Sequence, residues 1–72
     1  FKKGDYDRAV FELERANEFV KNDPIILEHL GDAYRALKSF EKALAAYERS
    51  KELQGKNEQI LEKIKATRKG ID

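Results

Sequence analysis

The stretch LEHLGDAYRALKSFEKALAAY, residues Leu27–Tyr47, decides the fold. Leu27, Leu30, Gly31, Tyr34 and Leu37 recur at spacings of three and four, which is one stripe of a helix. Ala43 and Tyr47 repeat that spacing after a short break. Two very small residues, Gly31 and Ala43, sit among the large ones. Small residues in an apolar stripe let two helices approach closely, and the large neighbours fill the space on either side.

The pattern extends outward in both directions. Shifted by 34 residues, the chain falls on itself. Tyr6 meets Phe40, Ala9 meets Ala43, Leu13 meets Tyr47 and Phe19 meets Leu53. Downstream, Asp23 meets Asn57, Ile26 meets Ile60, Leu27 meets Leu61, Glu28 meets Glu62 and Leu30 meets Ile64. Helix starts recur in the same register. Asp5 and Ser39 stand as N-caps before Tyr6-x-x-Ala9 and Phe40-x-x-Ala43. Asp23 caps a helix with Pro24 at its first position, and Asn57 is the equivalent cap. The spacing predicts helices over 5–21, 24–37, 40–54 and 57–69.

Composition narrows the class. The chain has 72 residues, room for one small domain. Its net charge is +1 with 40% of residues charged, which argues against a dedicated nucleic-acid or anionic-membrane binder. Without cysteine there is no disulfide framework and no thiolate metal site, which fits a reducing compartment and favours the cytoplasm. No apolar run approaches the roughly 20 residues that span a bilayer. The chain starts at Phe1 and reads as a piece of something longer.

The residues Leu27-x-x-Leu30-Gly31-x-x-Tyr34 followed by Ala43-x-x-x-Tyr47 resemble the tetratricopeptide repeat, W-x₂-L-G-x₂-Y then A-x₃-F, and the 34-residue period is that family's. Leu27 replaces its Trp and Tyr47 its Phe. The resemblance implies an all-α fold of antiparallel helix-turn-helix repeats, a segment of a right-handed α-solenoid. In its terms, residues 1–22 are a partial first repeat, 23–55 a complete repeat, and 56–72 a C-terminal capping helix. The last helix carries Lys65, Thr67 and Arg68 where the complete repeat has Gly31, Ala33 and Tyr34. Ile60, Leu61 and Ile64 form its expected inner half, and its far side is polar, as an end repeat requires. Lys38 stands where the first repeat has Gly4, so either its φ is positive or the turn differs.

The resemblance also implies function: a protein-binding scaffold whose first helices line a concave face for a peptide or partner helix. The stripe opposite the apolar one supplies the candidates. These are Ile25, Glu28, His29, Asp32, Arg35 and Ala36, with Gln59, Glu62, Lys63, Ala66 and Lys69 on the last helix. One branch of the family clamps a peptide carboxylate with Lys and Asn. The matching places here carry Glu28, His29, Asp32 and Arg35, whose two carboxylates repel an acidic terminus. Glu28 and Asp32, four apart, form a like-charge pair that a basic or mixed-charge partner would relieve.

No enzyme constellation is legible. His29 is the only histidine, the Ser and Thr residues lack a partner base, and the four glycines form no phosphate loop. Nothing calls for a cofactor or metal. Two further readings compete with the binding scaffold: a structural or self-assembly segment, and an RNA-binding repeat using Lys63, Lys65, Arg68 and Lys69. The second is disfavoured, because cations at a helix C-terminus are an ordinary solvated end. For self-assembly, Tyr6, Val10, Leu13 and Phe19 read as the inward stripe of helix 5–21, while Phe11 is surplus, since its repeat equivalent is Ala45. The expectation is a homodimer through that helix, with Phe1 and Phe11 in the contact.

Overall fold

The computed structural model describes residues 3–55 and 57–71. It holds four helices, α1 (Lys3–Phe19), α2 (Pro24–Ala36), α3 (Phe40–Gln54) and α4 (Glu58–Ile71). They pack in chain order, α1 on α2, α2 on α3 and α3 on α4. The all-α repeat architecture expected from the 34-residue register is the one observed, and the described residues form no strand.

The caps explain most of the boundaries. The Asp23 carboxylate accepts from the backbone N–H of Ile25 at 2.9 Å and of Ile26 at 3.4 Å, with Pro24 opening α2. The Asn57 side chain accepts from Gln59 at 2.9 Å and Ile60 at 3.4 Å, so the same device opens α4 one repeat later. Asp5, in contrast, lies inside α1 and is not its cap, because the helix already begins at Lys3. Ser39 holds the cap position of α3 without a side-chain hydrogen bond. Helix α1 ends at Phe19 rather than 21, and α4 runs on to Ile71 rather than stopping at 69.

Lys38 takes the left-handed option, at φ 62°. Its N–H bonds to Arg35 O at 2.9 Å, and Ser39 N–H reaches back to Tyr34 O at 2.8 Å. These two bonds make a Schellman ending for α2 with a lysine in the place glycine usually fills.

The core lies where α3 is sandwiched. Ala43, Tyr47, Ile60 and Ile64 are buried together, with Tyr34 and Leu44 packed against them. Gly31 of α2 lies against the same Tyr47 ring: a Cβ built there would be 2.6 Å from Cε1. A second glycine plays the same part on α4, where a Cβ on Gly70 would be 2.8 Å from the Phe40 ring.

Three expectations are corrected by this packing. Thr67 is not on the polar side of α4 but fully buried, its hydroxyl donating to Lys63 O at 2.7 Å. It occupies the register place of Ala33, which faces inward. Leu61, expected inward, is 39% exposed. Phe19, read as part of the inward stripe of α1, is 82% exposed, because no described element covers that side of the helix. Phe11 is exposed as expected, with the Arg15 guanidinium over its ring. Phe1 lies outside the described residues.

Candidate binding groove

Helices α2 and α4 are the first helices of successive repeats, and each packs against α3. A polar network ties them together. Lys63 on α4 sends its ammonium to Glu28 Oε2 at 2.8 Å and to Asp32 Oδ2 at 3.1 Å, both on α2. The Tyr47 hydroxyl, from beneath, donates to Asp32 Oδ1. Gln54 reaches Glu28 Oε1 at 3.5 Å and also donates to Ser50 Oγ at 2.8 Å, while Ser50 donates to Pro24 O at 2.8 Å.

This network corrects the expectation drawn from Glu28 and Asp32. Their like-charge repulsion is relieved by Lys63 within the chain, so it does not call for a basic partner. Burial pushes the Lys63 ammonium down, but its hydrogen bonds to Glu28 and Asp32 outweigh that and hold its pKa above the ordinary lysine value. Burial and then the Asp32 carboxylate raise the Tyr47 hydroxyl well above its usual range. Burial and the Glu14 carboxylate, which accepts from the Tyr34 hydroxyl, push Tyr34 up to about 12. All three groups keep their protons across the neutral range.

The candidate residues therefore fall into two sets. Glu28, Asp32 and Lys63 form the half-buried floor between α2 and α4. Ile25, His29, Arg35 and Ala36 on α2, and Gln59, Glu62, Ala66 and Lys69 on α4, are exposed around it. Beside this surface an apolar hollow of about 230 Å³ opens between α1 and α2, lined by Tyr6, Ala9, Leu13, His29, Asp32 and Ala33. Sequence reasoning missed the floor's internal pairing. The signal was present: Lys63 is the register equivalent of His29, on the helix that stands beside α2.

Among the described residues, no group of three or more His, Asp or Glu side chains is placed to hold a metal ion. Two of the four cations of α4 face carboxylates, Lys63 as above and Arg68 at 3.7 Å from Glu48. Among the described residues, no helix is long and apolar enough to cross a membrane.

Helix pairs stacked in a 34-residue register, with glycine on one helix seated against an aromatic ring on the next, define a helical repeat protein. Residues 26–57 match the family model of the tetratricopeptide repeat, so that stretch is similar to one repeat of that family. Neither the curated proteins nor the solved structures give a match. Tetratricopeptide repeats are protein-interaction scaffolds in general, without catalytic machinery of their own.

Proposed function

We propose that this chain is a scaffold segment that binds a peptide or a partner helix along the shared surface of α2 and α4. The observation that carries this reading is Lys63 spanning from α4 to both carboxylates of α2. It locks the two helices side by side, so their exposed residues form one surface. The floor is neutralised and satisfied within the chain. Recognition then falls to the rim, where His29, Arg35, Glu62 and Lys69 offer both signs of charge, and Ile25, Ala36 and Ala66 offer apolar contact. In this reading 1–22, 23–55 and 56–72 are a partial repeat, a complete repeat and a capping helix.

The test is an NMR amide-shift titration against arrays of acidic, basic and amphipathic peptides. The reading expects shifts concentrated at His29, Arg35, Glu62 and Lys69, and weaker binding by Arg35→Glu. Shifts confined to α1 and the outer side of α3 would overturn it.

A second reading, self-assembly, is favoured by the exposure of α1 and the residue that follows it: Phe11 is 60% exposed, Phe19 82% and Val20 52%. Bare aromatic surface of this kind tends to be an interaction site. A twofold contact through Phe11 is one arrangement, and loss of dimer mass in Phe11→Asp is its test.

A further inference from the structure

Glu28, Asp32 and Arg35 lie on one stripe of α2, and Glu62, Ala66 and Lys69 are their register equivalents on α4. The first stripe stays open at Arg35 although α1 and α3 both pack on α2, so its openness belongs to the repeat and not to an end of the chain. Contacts with α3 fix how the two stripes align. Ser50 donates to Pro24 O, and Gln54 donates to Glu28 and accepts from Asn57, so α2 and α4 both start beside the last turns of α3. Ser39 N–H bonds to Tyr34 O, and Gly70 sits against the Phe40 ring, so both helices end beside the first turn of α3. The helices are therefore parallel, and Arg35 and Lys69 share one end of the surface.

Charge is sorted along this surface. Lys63 neutralises Glu28 and Asp32. Among the described residues, Glu62, Arg35 and Lys69 have no ion-pair partner. What remains is two cations at the Phe40 end and one anion set back from them. The Arg35 guanidinium lies close enough to the Tyr47 hydroxyl to favour its ionised form, against Asp32, which places it over the floor. Glu62 and Lys69 are seven residues apart on one helix, about 10 Å along its axis. A polyproline II peptide puts residues three apart on the same side, about 9 Å from each other. The apolar side chains of the rim are Ile25, Ala36 and Ala66, too little surface to seat the apolar face of an amphipathic helix. We propose that the partner is an extended peptide with one acidic and one basic side chain three residues apart, the acidic one between Arg35 and Lys69 and the basic one at Glu62. This rests on the shared-surface reading above and adds to it the partner's charge pattern.

NMR amide-shift titration of the 72-residue chain with short proline-rich peptides tests the proposal, giving affinity and location together. Each peptide carries two charged residues three apart: an acid and a base in either order, two acids, or two bases. A mixed peptide should bind at least about tenfold tighter than either like-charged one, with shifts at Arg35, Glu62 and Lys69. Arg35→Glu/Lys69→Glu should reverse the preference, losing the mixed peptide and gaining the two-base one. Both residues are exposed, so the variant should stay folded, which circular dichroism verifies. Lys69→Glu alone should give part of the same reversal. Equal affinity for all the peptides, with shifts still at the rim, overturns this proposal and leaves the shared-surface reading standing. Rim shifts with amphipathic helical peptides and none with the charged ones do the same. Shifts confined to α1 and the outer side of α3 overturn both.

Discussion

The ammonium of Lys63 lies 2.8 Å from the carboxylate of Glu28, across the seam between α4 and α2. Both side chains are less than a third exposed, so the pair is screened less than a surface ion pair. Asp32 shares the same ammonium at 3.1 Å, which places Lys63 between two carboxylates. Replacing it with methionine keeps the stem's packing and leaves the carboxylates to repel each other. Lys63→Met should cost about 1–2 kcal/mol, between the values for exposed and buried pairs. Urea unfolding measures it, and an unchanged midpoint would show that the seam is not held this way.

The raised pKa values predict how stability responds to alkali. Lys63, Tyr34 and Tyr47 all hold their protons more tightly folded than unfolded. Their contribution is complete below the unfolded values, near pH 10, and is lost as pH rises through the folded ones. The urea midpoint should hold from neutral pH to about 9 and then fall. Tyrosine absorbance should show Tyr34 and Tyr47 ionising well above the ordinary tyrosine value near pH 10. Ionisation of Tyr34 and Tyr47 near pH 10 would contradict the bonds to Glu14 and Asp32.

Thr67 separates the observed fold from the simpler picture of a helix with a polar outer face. It is fully buried, with its hydroxyl turned back to Lys63 O. Thr67→Glu places a charge there without a partner and should cost about 2–4 kcal/mol, whereas Thr67→Val should change stability by less than about 1. Chemical denaturation of the two variants gives the difference directly. Equal stability would put Thr67 back on the surface.

Lys38 at φ 62° pays the steric cost of a Cβ in left-handed backbone. Lys38→Gly should therefore raise stability by about 0.5–1 kcal/mol, less than the full strain because glycine also loosens the unfolded chain. A thermal melt at lower temperature than the parent would mean the Schellman turn needs its lysine.

What the sequence revealed, it revealed through the register. Gly31, Ala43 and Tyr47 were legible because small and large residues recur at helical spacing and again 34 residues away. The caps Asp23 and Asn57 were legible for the same reason. Thr67 was misplaced because its polarity was weighed above its register partner Ala33. Gly70 was missed because the basic run Lys65–Lys69 looks like a helix end, although Ala36 in the same register is also small. Phe19 was misread because periodicity locates a stripe and cannot say whether another helix covers it. Of the candidate groove, the helix faces were legible. The internal pairing of its floor depends on two helices meeting across α3, which local spacing does not encode.

The central claim is that α2 and α3 meet with Gly31 seated against the Tyr47 ring, a contact that sets how α2 presents its other face. Tyr47 is fully buried, so the ring cannot swing away from an added methyl. Glycine-to-alanine in a helix ordinarily stabilises by up to about 1 kcal/mol. Gly4 tests that ordinary effect, since a Cβ there meets nothing within 4 Å. The decisive measurement is the urea midpoint of Gly31→Ala beside that of Gly4→Ala. The account predicts that Gly4→Ala is neutral or stabilising, while Gly31→Ala loses about 1–3 kcal/mol despite its better helix propensity. A Gly31→Ala variant as stable as the parent, or more so, would contradict it.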